Sequence, residues 1–298
     1  MPHKSDFFII GAPKCGTTTL YSWLKDHPDV FMPKEKEPHY FAQHLSDRYC
    51  RVRDEDSYLN LFANKAENQV CGEASVLYGF SPESIKEILK FNPEAKIILM
   101  MRHPIDMIVS YHGQLLVNLE EDEKSFERAW NLQSDRSKGK EIPDISTDPD
   151  LLQYSDVGRL GVHLQAIVDI VPQDQLKVIC LDDLARNPKE VYMDVIEFLG
   201  KSCDGRASFN KENEASAIKY QWLEKARRSQ NTVIKSIKSF IKLLPLSNRL
   251  LQFNQARRID IQLDEIFLNT LYNHFGSDIE YLENYFGKKL NTKYERNS

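Results

Sequence analysis

A chain of 298 residues, 41% of them hydrophobic, can bury a large core as one domain carrying insertions. Its formal charge of −5 argues against nucleic acid as the main partner. The five cysteines, at 15, 50, 71, 180 and 203, are odd in number and include no Cys-x-x-Cys pair. That excludes a disulfide framework and a cysteine zinc site, and it fits a reducing compartment. No apolar run approaches a membrane span, and Phe7–Ile10 is too short for a signal-peptide core. A cytoplasmic location is the expectation.

The chain opens on its most informative stretch. Phe7–Ile10 is an apolar run that predicts a buried strand, and Gly11, Pro13 and Gly16 mark a turn. A helix over Thr17–Lys25 follows, with Leu20, Trp23 and Leu24 on its apolar face. Strand, glycine turn and helix N-terminus together form an anion cradle, because free N–H groups and the positive end of the helix dipole point into the turn. Lys14 and the hydroxyls of Thr17, Thr18 and Thr19 add a charge and further donors, and Cys15 and Gly16 complete the loop. The common nucleotide loop places its Lys after the second Gly, beside a metal-binding hydroxyl. Here Lys14 comes two residues before Gly16, as G-x-x-K-x-G-T-T. Its ammonium therefore sits on the crest and can reach the bridging oxygen of a phosphoester without a metal beside it. Cys15 is read as a small loop-filling residue in preference to a nucleophile.

Further along, a short strand is expected at Val70–Gly72, a helix over Pro82–Phe91 and a strand at Ile97–Met101. Helices over Pro104–Val117, Ser125–Ser134 and Val157–Ile170 come next, then a strand at Leu176–Cys180 and a helix over Pro188–Leu199. Residues 134–150, rich in charge, Pro, Ser and Asp, read as a surface loop. The alternation predicts an α/β fold, a central mainly parallel sheet flanked by helices. Arg102 ends the third of these strands, and Pro104 and Asp106 suit the first turn of the helix after it. Ser110 then lies on a helix face that can point back toward Arg102. A guanidinium and a hydroxyl so placed can share one phosphate.

Together these stretches resemble the sulfotransferases that use 3′-phosphoadenosine 5′-phosphosulfate (PAPS). The Lys-x-Gly-Thr-Thr loop resembles that family's 5′-phosphosulfate loop, and Arg102 with Ser110 resembles its 3′-phosphate signature. Tyr154–Leu199 and the C-terminal stretch from Leu263 to Leu290 are also similar to the family. The resemblance implies a P-loop-like sulfotransferase fold over a single domain, residues 1–298. It also implies PAPS as co-substrate, adenosine 3′,5′-bisphosphate as product, no required metal, and Lys14 at the leaving group. Many eukaryotic members carry an N-terminal anchor and stem, and the expectation here is a chain with neither.

Pro33-Lys-Glu-Lys-Glu-Pro-His-Tyr-Phe41 resembles the family's Lys-Glu-x-His-[Phe/Tyr]-Phe element, whose Glu is a general base. By position that is Glu37, and an extended Glu-Pro-His segment sets His39 on the same side. Burial must then raise the Glu37 pKa against its lysine neighbours. His39 as base, oriented by Glu37, is the competing assignment. Glu73-Ala-Ser-Val-Leu-Tyr78 stands where heparan-type members have Glu-Lys-[Ser/Thr]-Pro-x-Tyr. The missing Lys argues against a glycosaminoglycan, and Glu73, Ser75 and Tyr78 are expected to line an acceptor pocket for a small molecule or sugar. Lys219 is expected over the donor's 3′-phosphate. Residues 219–258 hold ten Lys or Arg and one acid, Glu224. Within them, 230–258 reads as a basic amphipathic insertion: a core-packed helix, a lid over an anion, or a membrane-surface helix. An ATP-dependent small-molecule kinase and a nucleotide-binding protein without turnover are the alternatives, and the oligomeric state is left open.

Overall fold

The computed structural model describes residues 4–210, 216–218, 255–257 and 261–295. Five strands form one parallel sheet: β1 (Phe7–Gly11), β2 (Val30–Phe31), β3 (Val70–Ala74), β4 (Lys96–Met101) and β5 (Leu176–Cys180), in the order β2-β3-β1-β4-β5. β1 is buried along its whole length, as four consecutive apolar residues require of a central strand covered on both faces. It pairs Phe8 with Glu73 on β3 and with Ile97 on β4. The carboxyl ends of β1, β3 and β4 therefore open on the same edge of the sheet. A short antiparallel pair, β6 (Ser216–Ile218) with β7 (Gln255–Arg257), lies apart from it.

Helices cover both faces. They are α1 (Thr17–Lys25), α2 (Glu55–Asn60), α3 (Pro82–Phe91), α4 (Pro104–Asn118), α5 (Phe126–Asn131), α6 (Gln133–Arg136), α7 (Tyr154–Val157), α8 (Leu160–Val168), α9 (Leu181–Arg186), α10 (Pro188–Phe198) and α11 (Glu265–Phe286). The boundaries follow from capping chemistry. Ser81 caps α3 by accepting from Ser84 N–H, with Pro82 at the first helical position, and Asp264 caps α11 by accepting from Phe267 N–H. An aromatic cluster of Phe126, Trp130, Tyr154, Phe267 and Phe275 packs α5, α7 and α11 together, edge to face.

Three sequence expectations change. β2, two residues long, carried no readable pattern. The helix expected over Val157–Ile170 is two pieces, broken at Gly158 and Arg159. A Cβ on Gly158 would stand 2.4 Å from the Phe275 ring, so α11 packs against that break. The surface loop expected at 134–150 begins inside α6, and Arg136 is 2% exposed. Its guanidinium makes two bonds to Glu121, at 2.6 and 2.7 Å, which a solvated loop would not do. Lys219, and nearly all of the 230–258 segment, lie outside the described residues.

Candidate active site

The loop between β1 and α1 turns at two glycines that nothing larger replaces. Gly11 has φ +142°, and a Cβ there would sit 2.6 Å from the Val76 carbonyl oxygen. Gly16 has φ +90° and is the N-cap of α1, with no side chain capping the helix and no acid in its first turn. The N–H groups of Thr19 and Leu20 turn inward to the Gly16 carbonyl at 3.0 and 3.2 Å. The first-turn donors of Thr17 and Thr18 are thus left facing the mouth of the loop. Cys15 is buried, its thiol donates to the Pro13 carbonyl, and burial pushes its pKa up to about 12 despite the cations Arg102 and Lys14. It fills the loop, and any part it has in holding an anion belongs to its backbone.

Lys14 stands on the crest at φ +62°, with its ammonium 3.1 Å from the Gln114 side-chain oxygen on α4. Arg102, at the end of β4, donates through Nη1 to the Lys14 carbonyl at 3.2 Å and through Nη2 to Asp106 Oδ1 at 3.2 Å. The two predicted anion-binding elements are thereby joined. Asp106 also accepts the Lys293 N–H at 3.2 Å, so the C-terminal segment helps fix the guanidinium. Ser110 is buried on α4, one turn beyond Asp106. Asp106, Ser110, Gln114 and Asn118 recur every fourth residue along α4, a polar stripe on one face of an otherwise apolar helix.

The Pro33–Phe41 segment crosses the carboxyl end of β3, but it is not extended. Glu37 and His39 both adopt left-handed backbone, φ +62° and +52°. Such conformations cost about 1–3 kcal/mol each at non-glycine residues. They nonetheless bring Glu37 Oε2 to 3.2 Å from His39 Nε2. Nδ1 of His39 faces the Tyr49 carbonyl at 3.2 Å, so that nitrogen carries a proton. Glu37 also pairs with Lys36 and accepts the Val76 N–H at 2.8 Å. Burial pushes the Glu37 carboxyl up, but Lys36 and His39 outweigh it and hold the group at about 2. The expectation that burial would raise it is therefore wrong in this state, because Lys36 and His39 come closer than a sequence shows.

The raised carboxyl is Glu73. Burial pushes it up to about 8, against hydrogen bonds from Tyr78 and Ser75, with the Glu37 charge adding to the rise. Its Oε1 has no hydrogen-bond partner among the described residues and is the oxygen left to carry the proton. Glu73, Ser75 and Tyr78 are all fully buried, so in this structure they do not line an open pocket. The stability consequence has a definite sign. Glu73 titrates near 4.5 when unfolded and about 8 when folded, so its contribution is complete below 4.5 and is lost as pH rises through 8. Calorimetric scans from about pH 5 to about pH 9 should show the melting midpoint falling, and Glu73→Gln should flatten that fall. An unchanged slope in the variant would place the titration elsewhere.

Sequence reasoning missed Gln114 and Tyr49. The four-residue polar repeat of α4 was a usable signal for Gln114; nothing local marks the Tyr49 carbonyl.

Residues 4–242 match the family model described as the sulfotransferase domain. The chain belongs to the sulfotransferase family. Carbohydrate sulfotransferase 15 of Mus musculus is 27% identical across 67% of this chain and 44% of its own length. The heparan sulfate glucosamine 3-O-sulfotransferase 6 of Homo sapiens is 32% identical over 36% of this chain and 30% of its own length. The chain thus spans less than half of the length of these relatives. A solved sulfotransferase from Alicyclobacillus acidocaldarius superposes with a TM-score of 0.70 at 25% identity, over 97% of this chain and 98% of that one. The five-stranded parallel sheet is accordingly the P-loop-like sulfotransferase fold. Among the described residues, no helix is long and apolar enough to cross a membrane.

Proposed function

We propose that this member of the family transfers the sulfuryl group of PAPS to a hydroxyl, in preference to an amine or guanidine nitrogen, of a sugar or small molecule. The single observation that carries this is the Arg102–Lys14 carbonyl bond at 3.2 Å, which ties both candidate phosphate grips into one rigid unit. A donor with phosphate at both ends of its ribose fits such a unit, and a simple phosphoester does not need it. The Gly11–Thr19 turn and first helical turn would hold the 5′-phosphosulfate, and Arg102 with Ser110 the 3′-phosphate. The acceptor oxygen attacks sulfur in line. Its new S–O bond forms as the bond to the bridging phosphate oxygen breaks, and adenosine 3′,5′-bisphosphate departs. Lys14 meets the negative charge growing on that bridging oxygen. Glu37 takes the acceptor's proton, and His39 Nε2 at 3.2 Å can take it onward. A carboxylate held at about 2 is a weak base, so an approaching acceptor must draw Lys36 off Glu37 for the step to be efficient. The same reading places the enzyme in the cytoplasm, in keeping with its five free cysteines.

The test has two arms. Calorimetry should show saturable binding of adenosine 3′,5′-bisphosphate, unaffected by EDTA. Radiolabelled PAPS should deliver sulfate to at least one of a panel of sugars, phenols and alcohols. Arg102→Ala should weaken the bisphosphate by about 10–100-fold, the worth of one charge-assisted contact. Arg102→Lys should recover part of it, since a point charge loses the two-pronged geometry. Equal affinity in Arg102→Ala would move the 3′-phosphate elsewhere, and saturation by magnesium–ATP alone would favour a kinase.

A further inference from the structure

We propose that Glu73, Ser75 and Tyr78 form a buried clamp that positions the Glu37–His39 pair, and that they act as positioning residues in place of acceptor contacts. This rests on Glu37 and His39 being the proton-accepting pair.

Every other residue of the 37–41 stretch is bonded to the chain leaving β3. Glu37 N–H donates to the Ala74 carbonyl at 3.0 Å, and its Oε2 accepts from Val76 N–H at 2.8 Å. His39 N–H donates to Ser75 Oγ at 3.1 Å, and Phe41 N–H to the Tyr78 hydroxyl at 3.1 Å. Two of these acceptors are hydroxyls, which can also turn their own protons toward a backbone carbonyl and release the amide. Glu73 opposes that. Ser75 Oγ donates to Glu73 Oε2 at 3.4 Å, and Tyr78 lies near enough to that carboxyl to influence its ionisation. With its hydrogen committed to Glu73, the Ser75 hydroxyl presents a lone pair to the His39 amide above it. The Tyr78 ring also stands edge-on to the His39 imidazole, centroids 5.8 Å apart, closing the space beneath it.

The clamp answers a specific need. Two left-handed residues flank Pro38, and a relaxed segment would carry Glu37 away from His39. Each of the three clamp side chains is fully buried, so none is available to a substrate without displacing the segment it holds.

The variants are Ser75→Ala, Tyr78→Phe and Glu73→Gln, which replaces one acceptor oxygen by a donor, with Ser75→Thr as the conservative rescue. The acceptor-independent readout is slow hydrolysis of PAPS, with water as acceptor, alongside transfer to the best acceptor of the panel. The expected result is a fall in kcat of about 10–100-fold for Ser75→Ala and Glu73→Gln, as for a misplacement of about an ångström. Acceptor KM and bisphosphate affinity should stay within a few-fold, and Ser75→Thr should restore most of the rate. Amide exchange at His39 and Phe41 should accelerate in the same variants. Combination with Glu37→Gln should add little, since the clamp acts through that residue. A raised acceptor KM with unchanged kcat would overturn the clamp and restore the three residues to the acceptor pocket. Full additivity with Glu37→Gln would overturn it as well. Should Glu37→Gln alone keep full activity, the base assignment fails, while unchanged amide exchange in the clamp variants would condemn the clamp itself. A variant that fails to fold is replaced by another of the clamp, Tyr78→Phe for Glu73→Gln.

Discussion

Lys14→Ala should lower kcat by about 10²–10³-fold while adenosine 3′,5′-bisphosphate still binds within a few-fold of wild type. The asymmetry follows from geometry. Arg102 grips the carbonyl of Lys14 and not its side chain, so the alanine keeps the bond at 3.2 Å that joins the two proposed phosphate grips. What it loses is the ammonium on the crest, the only part of the residue that can meet charge on the departing oxygen. In the product that oxygen belongs to a terminal phosphate that the turn's N–H groups and the α1 dipole also hold. The Lys contact therefore matters most while the S–O bond breaks. Rapid-mix single-turnover assays with PAPS, together with calorimetry of the product, measure both halves. Loss of product affinity equal to the loss in kcat would mean that Lys14 binds donor and transition state alike.

The second large effect is on stability. Arg136→Met should cost about 3–5 kcal/mol, because it strands a carboxylate in the interior. Arg136 and Glu121 have no exposed side-chain surface, and they meet through two bonds at 2.6 and 2.7 Å. Tyr154 donates to Glu121 Oε2 at 2.5 Å, and the N–H groups of Asp122 and Glu123 reach Oε1 at 2.9 Å. The Arg136 Nε donates to the Glu141 carbonyl at 3.0 Å. Burial pushes the Glu121 carboxyl up, and Arg136 and Tyr154 together bring it below its ordinary value. Without the guanidinium the burial penalty is opposed only by Tyr154 and the two amides. A drop of roughly 10 °C in melting midpoint is expected for a chain of this size. The apolar triple Arg136→Met/Glu121→Leu/Tyr154→Phe should lose far less, since it leaves no orphan charge. A single variant as stable as wild type would show that water reaches the pair.

The contrast between these sites explains what the sequence could reveal. β1 and β4 announced themselves as apolar runs, and α1 and α3 match their expected bounds because glycine or serine caps and the apolar period both mark them. The glycine turn between β1 and α1 was legible for the same reason: its residues are contiguous. Arg136 was not, since Glu121 lies fifteen residues away and Tyr154 further still, and the intervening Pro- and Asp-rich stretch looks solvated. Glu37 shows a subtler limit. Its partnership with His39 was readable from their spacing, but the backbone was expected extended and is left-handed at both residues. The sign of its pKa shift then depended on how close Lys36 and His39 come, which no local pattern encodes. Glu73 carries the upward shift instead, a strand-end carboxyl whose burial is set by a segment more than thirty residues earlier in the chain.

The bond between Lys293 N–H and Asp106 has a practical side. Asn291 N–H bonds to Asp182 and Lys288 pairs with Asp183, so the last described residues are tethered at three points, one of them the carboxylate that pairs with Arg102. An affinity handle or fluorescent fusion attached there would tug on the very carboxylate that aims this arginine. Purification sequences and labels are better carried at the opposite terminus.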